Sequence, residues 1–476
     1  MNRKDVKKIS KNLVLFVAFL YVTMGVAIFF LYCFHRNVDL KTTLTFFGSM
    51  ALMFVSFSLV LYSVSGKVCQ SLKLLMVDAV CILISFLLVQ LISRTFSLYL
   101  APFALCALLV SLLVHARIGF VSNLMVVICH VLAEITFREA VISKEILVFT
   151  IINGVVVSMI AAFAGSKHLR RLHYVITAIA LGGVTLANGL VNRFMFQIET
   201  LPLTTMATNA FFSGPVDVML FFLLSPVMER VFNLVTDFRL AELSNTNQPL
   251  LRKLLDTAPG TFNHSLMVAN YAEACASALN ENPYLARAAG YYHDIGKMKN
   301  PSYFTENQVD GYNPHNEITP EISVSFIKKH TINGYVMAQE HHLPQEICDI
   351  IIEHHGTMPV KYFYLKAQKY AEEEISATEY SYSGPKPHTK MAAIIMICDA
   401  CEAALRTLQR DEKSKAEALI KNIIRERLTY GQFDDCPITM EELSTIGSVI
   451  STTYLGVAHE RIRYQDQKKM ETEDEN

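Results

Sequence analysis

Seven side chains in the second half of the chain have the types and spacing to hold metal ions: His264, His293, Asp294, His330, His354, His355 and Asp399. Apart from the adjacent pairs His293-Asp294 and His354-His355, each falls on a separate helical pattern or at its end. Taken singly, each has a bland explanation. A histidine at a helix end usually caps or faces solvent, and a lone aspartate usually caps or pairs. Asp399 is harder to dismiss, because it stands in MAAIIMICDACEAAL. A carboxylate in so apolar a helix is costly unless it is paired or bound to a metal. Five imidazoles and two carboxylates exceed what one ion needs. They suit two first-row divalent ions about 3.5–4 Å apart, with one carboxylate bridging them.

The elements that must position these groups are marked by helix signals. Thr261 opens a pattern in which Leu266, Ala269, Ala272 and Cys275 recur at three-residue steps. Asn282-Pro283 is a cap followed by proline at the first helical position, and it leads to His293-Asp294. Thr319-Pro320-Glu321 repeats the signal and leads to His330. Leu343-Pro344-Gln345-Glu346 opens a helix that ends at His354-His355, with Gly356 as its stop. A loop containing Ser383-Gly-Pro-Lys-Pro387 precedes an apolar helix over 389–407, which carries Asp399 and Arg406. Two amphipathic helices follow, and no sustained period-two stretch calls for a sheet. The last dozen residues, 465–476, read as a disordered polar tail.

The first half is of another kind. Of 476 residues 52% are hydrophobic and 18% charged, too greasy for an ordinary soluble protein, and the apolar runs crowd before Glu229. The run 13–34 is too long for a signal-peptide core and reads as a retained anchor. Further runs at 44–64, 74–93, 98–115, 118–134, 146–165, 173–191 and 208–228 bring the expected spans to eight. The fourth and fifth are separated only by His115-Ala-Arg117. With the N-terminus inside, Lys and Arg are richer on the inside segments than on outside loops bearing Arg36, Arg138 and their neighbours. An even count then puts the polar half in the cytoplasm. Asp78 lies inside the third run, where an acid is either an interior hydrogen-bonded residue or part of a functional pathway. A formal net charge of -1 makes no case for a nucleic-acid polymer as partner. The CxxC at Cys398–Cys401 has no second pair to complete a zinc site, and with Cys275 and Cys348 it reads as buried free thiol.

The motifs NHSLMVANYAE, YYHDIGKMKNPSYFTENQ, NPHNEITPEIS, IIEHHGT, GPKPHTK and IIMICDACEAALR resemble the HD-domain phosphohydrolases, specifically the membrane-bound PgpH-type cyclic-di-AMP phosphodiesterases. The resemblance runs from about Met228 to Tyr464, and the membrane runs from about Leu74 fit the same layout. It implies an all-α protein: a polytopic membrane domain over 1–228, a helical connector over 229–260, a cytoplasmic HD domain over 261–464 and the tail. It implies hydrolysis of cyclic di-AMP to pApA at a centre holding two iron or manganese ions. His264, His293 and Asp399 would hold one ion, His330, His354 and His355 the other, and Asp294 would bridge them. Such ions lower the pKa of water and neutralise charge on a phosphodiester. Lys297, one turn past Asp294, is placed to meet a phosphate oxygen. Arg406, seven residues after Asp399, shares its helix face and is a second candidate for phosphate. Expected partners are therefore cyclic di-AMP and a lipid bilayer, with a homodimer as the assembly considered.

Several residues are left with two readings or depart from the pattern. His315 either faces substrate or caps the next helix, while His341 and His342 read as surface residues. The usual KPQTK is KPHTK here, which adds His388 near the expected site. Relatives usually carry a large extracytoplasmic domain between the first two membrane segments, and here only HRNVDLKTTL separates them. Hydrolases of cyclic di-GMP follow their His-His pair with an acid and a Gly-Tyr-Pro element, where this chain has HHGTMPVKYFY. A non-catalytic receptor with a degenerate HD fold should have lost ligands, and none is missing.

Overall fold

The computed structural model describes residues 3–33, 39–137, 144–165, 171–197, 201–308, 311–371, 374–408 and 413–459. Among them there is no strand, only an isolated bridge between Pro359 and Ser381. The chain divides into two compact units, Met1–Thr236 and Asp237–Asn476.

Among the described residues, seven helices of the first unit are long and apolar enough to cross a membrane. They are α1 (Arg3–Ile28, continued by a π turn Phe29–Cys33), α2 (Leu40–Val64), α4 (Leu72–Thr95), α6 (Ala116–Phe137), α7 (Lys144–Ala164), α8 (Arg171–Phe196) and α9 (Leu203–Val231), with a short α3 (Gly66–Cys69) between the second and third. At about 1.5 Å per residue each covers roughly the 30 Å of a bilayer core. The eighth expected span, 98–115, is not a long helix. Ser97 caps a single 3-10 turn, Leu98–Leu100, Pro102 has no amide to donate, and helix α5 starts only at Leu105 and ends at Leu113.

The broken segment nonetheless runs the length of the bundle. Its start packs Tyr99 on Phe149 near the beginning of α7, with ring centroids 4.7 Å apart, and its end lies where Gly165 closes α7 against Ser111 and Leu108. Among the described residues the first unit thus holds seven long helices and one interrupted segment alongside them. Two contacts place the start of α1 and the chain just after α9 on the same face of this bundle. The Asn12 amide donates to the carbonyls of Cys69 and Gln70, and Lys73 Nζ donates to the carbonyl of Asn233. Of the basic residues used for orientation, Arg36, Arg138, Lys167 and Arg170 lie outside the described residues, as does the expected tail 465–476.

The second unit comprises α10 (Asp237–Leu243), α11 (Pro249–Thr257), α12 (Pro259–Ala278), α13 (Pro283–Tyr292), α14 (Pro320–Glu340), α15 (Gln345–Glu353), α16 (Lys361–Tyr370), α17 (Lys390–Leu405), α18 (Lys413–Thr429) and α19 (Met440–His459). It begins at Asp237 rather than at 229, because α9 runs on to Val231 and the Glu229 carboxylate folds back onto the Thr236 hydroxyl. Nothing in KKHTINGYVMAQE breaks a helix, so α14 does not stop at His330 but continues to Glu340. The core is built round α17. Met391 to Cys398 are all buried, as are Cys401 and Leu405, so this helix is apolar on every face and must be surrounded. Its packing partners include α12, α13, α15, α18 and α19, and that enclosure delivers Asp399 into the interior.

Candidate metal centre

The seven expected side chains come together from five elements. α12 carries His264 in its second turn, His293 and Asp294 follow α13, α14 carries His330, His354 and His355 follow α15, and α17 carries Asp399. The two oxygens of Asp294 face different partners. Oδ2 lies 3.2 Å from His293 Nε2 and 3.6 Å from His264 Nε2. Oδ1 lies 3.3 Å from His330 Nε2 and 3.7 Å from His354 Nε2. Asp399 closes the first group, with Oδ1 3.0 Å from His264 Nε2 and 3.8 Å from His293 Nε2, and its Oδ2 is 3.6 Å from His355 Nδ1. Donor atoms of His264, His293, Asp294 and Asp399 all lie within 4.8 Å of one another, and so do those of Asp294, His330, His354 and His355.

The rings are oriented for this by their outer nitrogens. His293, His330 and His354 each donate Nδ1–H to the carbonyl three residues back, Gly290 at 2.7 Å, Ile327 at 2.6 Å and Ile351 at 2.7 Å. A carbonyl can only accept, so the proton sits on Nδ1 and the Nε2 lone pair faces the centre. His264 is held differently, since its Nδ1 meets the buried carboxylate of Glu402. His355 stacks on the Tyr382 ring, with centroids 4.3 Å apart and planes 24° apart.

These donors fit a pair of divalent ions. Imidazole nitrogen with carboxylate oxygen suits first-row metals such as manganese and iron. His293 Nε2 and Asp294 Oδ1 are buried without a hydrogen bond, which a native fold rarely leaves unless an ion or water serves them. Burial alone would raise the Asp294 carboxyl, but Lys297, His293 and His354 hold it well below the usual carboxylate range. The same balance of burial against His264, His293 and His355 holds Asp399 low. Burial would lower His264 and His293, yet the carboxylates beside them raise them to about 9 and about 10. His330 is pushed down to about 3 by burial and by His354 and Lys297, against the pull of Asp294. Without metal, His264 and His293 thus hold protons between carboxylates, whereas burial keeps His330 and His355 neutral.

Lys297 is not a free phosphate ligand in this arrangement. Its Nζ lies 2.6 Å from Asp294 Oδ2, 2.9 Å from Glu306 Oε1 and 5.0 Å from the centroid of the Phe304 ring. Burial works against the ammonium, and Asp294 and Glu306 outweigh it, so it titrates above the ordinary lysine range. Lys297 and Arg406 both line a cavity of about 770 Å³ over the cluster, which Tyr303, Tyr362 and Tyr382 also bound.

His315 lines the same cavity and is buried, its Nε2 2.8 Å from the Tyr303 carbonyl. His341 and His342 lie exposed just past α14. His388 is not at the centre. Its ring pairs with Glu353 beside a different cavity, with Glu281, Asp349 and Lys390. The extra histidine of KPHTK is thus drawn away from the ligands by an acid that precedes His354 by one residue.

Sequence reading missed Glu402, Glu306 and Tyr382. For Glu402 a signal existed, because it follows Asp399 by three residues and shares its helix face in an otherwise apolar stretch. Glu306 and Tyr382 arrive from a 3-10 turn and a loop, and no periodicity points to them.

Residues 261–404 match the HD domain family, and residues 10–236 match the family described as 7TM receptor with intracellular HD hydrolase. The cyclic-di-AMP phosphodiesterase PgpH of Listeria monocytogenes serotype 1/2a (strain 10403S) is 38% identical over 372 residues, 78% of this chain and 51% of the relative. The protein of the same name from Bacillus subtilis (strain 168) is 36% identical over 377 residues, 78% of this chain and 52% of the relative. The chain thus spans about half the length of these curated relatives. The crystal structure of the L. monocytogenes PgpH HD domain in complex with cyclic-di-AMP shares 46% identity and a TM-score of 0.44, covering 45% of this chain and 99% of that one.

Proposed function

Because this chain belongs to the family of seven-transmembrane receptors with an intracellular HD hydrolase, we propose that its second unit is a phosphodiesterase. It hydrolyses cyclic di-AMP to pApA at a two-metal centre on the cytoplasmic side of a membrane. The observation that carries this reading is Asp294, one buried carboxylate whose two oxygens face two separate groups of donors. His264, His293 and Asp399 serve one ion, His330, His354 and His355 the other, and Asp294 both. Two bound manganese or iron ions supply Lewis acidity to a phosphodiester oxygen and make water a nucleophile near neutral pH.

The chain's own residues do the rest. Asp294 and Asp399 stay ionised, so they offer charge where cations must sit. Lys297 keeps its ammonium at the cavity wall, where Glu306 as well as Asp294 holds it and where it would meet a bound phosphate. Arg406 stands at the rim of the same cavity as a second cation. Tyr362, exposed at the cavity wall, offers a ring on which a purine can stack. The name shared by the relatives supports cyclic di-AMP as the substrate. The cytoplasmic placement is supported by the common face of the N-terminus and the α9 exit, together with the basic N-terminal segment.

The test is hydrolysis by the full chain in lipid nanodiscs, loaded with manganese or with ferrous iron and offered cyclic di-AMP, cyclic di-GMP or pApA. Cleavage of cyclic di-AMP to pApA in preference to the other two is expected. Metal bound without turnover of any of the three would sink the enzymatic reading, and preferential turnover of cyclic di-GMP would sink the choice of substrate.

A further inference from the structure

We propose that the membrane unit contains a proton-binding site of its own, Asp78 of α4, set against the first turn of the half-length helix α5. Helix α5 starts inside the bundle, where its first amides and the irregular backbone before it need partners that lipid cannot supply. Ala104 donates its amide to Asp217 Oδ1 at 3.1 Å, from the middle of α9. Ala107 donates to Asn123 Oδ1 at 3.2 Å, and Asn123 Nδ2 donates to the Phe103 carbonyl at 2.6 Å and to Ser158 Oγ at 2.6 Å. Asp217 thus accepts one of the backbone amides that precede α5.

Asp78 has no such service. It is fully buried, and neither oxygen makes a hydrogen bond. Around it stand Cys81 on its own helix, Cys69 of α3, Cys106 in the first turn of α5, and the Ser122 hydroxyl of α6, itself without a hydrogen bond. Neither α1 nor the turn Leu98–Leu100, which also pack on α4, brings a charged or titratable group to it. No lysine, arginine or histidine among the described residues faces Asp78.

An ionised carboxylate in that setting has no counter-charge and no donor beyond the Ser122 hydroxyl, and the low dielectric makes this expensive. The missing positive charge has to be small. An alkali or alkaline-earth cation requires a shell of oxygens, and besides Ser122 the side chains that interact with Asp78 are thiols. A proton requires only one oxygen of Asp78. The site accordingly holds a proton at Asp78, which has no backbone amide of the kind that Ala104 offers Asp217. Loss of that proton would place a negative charge in the interior of the bundle, beside the segment whose helix starts only at Leu105.

Infrared difference spectroscopy on the full chain in lipid nanodiscs tests this, with Asp78→Asn and Asp217→Asn as the variants. Asparagine copies the shape and neutrality of a protonated aspartate, so Asp78→Asn should fold and remain at least as heat-stable as the parent. The parent should show the carbonyl stretch of a protonated, weakly hydrogen-bonded carboxyl that disappears as pH is raised. Asp78→Asn should lack this band and Asp217→Asn should keep it. Absence of the band from the parent, its persistence in Asp78→Asn, or failure of Asp78→Asn to fold would overturn the proposal. So would a band abolished by sodium or potassium but not by choline at the same ionic strength, which would make the ligand an alkali cation.

Discussion

Asp294 has to satisfy two groups of imidazoles with a single carboxylate, and this makes its loss different in kind from the loss of any histidine. Asp294→Ala is expected to empty both metal positions, whereas His330→Ala should empty only the second. Elemental analysis of protein purified with manganese separates these outcomes, and a chain that keeps one ion in Asp294→Ala would refute the shared role. Glu402 acts one step further out, by fixing the proton of His264 on Nδ1. Carboxylates in that position typically matter by about 10–100-fold in metal affinity. Glu402→Ala should weaken manganese binding on that scale in calorimetry, and Glu402→Gln, which keeps an acceptor oxygen, should recover part of the loss. The sign of the pH dependence follows from the metal-free histidines. His264 and His293 hold protons up to about 9 and about 10, and ions must displace them. Manganese affinity should therefore rise with pH from neutral toward 9, with protons released on binding. Titrations in buffers of different ionisation enthalpy would show that release, and a buffer-independent heat would contradict it.

At the scale of elements, the centre depends on how closely the turn after Asp294 approaches α14. A Cβ built on Gly296 would lie 1.9 Å from the His330 carbonyl oxygen and 2.5 Å from the Gly334 amide nitrogen. Both are backbone atoms of a helix and cannot turn aside. Gly296→Ala must push α14 away from the Asp294 turn, which carries the two donor groups apart. Overpacking of this kind typically costs about 1–3 kcal/mol, so a lower unfolding temperature and weaker metal binding should appear together. An unchanged metal affinity would mean that the two elements are free to separate without consequence. Gly290 plays a similar part between α13 and α12, where an added Cβ would lie 2.5 Å from Ala269 Cα. In the membrane unit the corresponding device is α5, whose early start and polar partners let an interrupted segment complete a crossing.

At the scale of the whole molecule, a crossing by the interrupted segment 98–113 would return the chain to the face from which it set out. Tags at the N-terminus and after α19 should both be accessible from the same side of sealed vesicles, and opposite accessibility would rule out a crossing by 98–113. Much of the organisation was already legible in the order of residues. Apolar runs of membrane length, proline and asparagine at helix starts, and glycine at helix stops are local signals, and they report local structure because they act within a turn or two of chain. They placed the seven candidate ligands on helices or at their ends and separated an apolar half from a polar one. The same locality explains what they missed. Counting apolar residues could not tell a broken crossing from a continuous helix, since Pro102 breaks the backbone while its neighbours stay greasy. Which oxygen of Asp294 meets which histidines, that Lys297 is held by Glu306, that His388 is drawn off by Glu353, and that Asp217 rather than Asp78 accepts a backbone amide are matters of contact between residues far apart in sequence. Local chemistry chose the candidates. Only the enclosure of α17 and the close approach of glycine-bearing turns decided their geometry, because burial and distance are properties of packed helices and not of neighbouring residues in the chain.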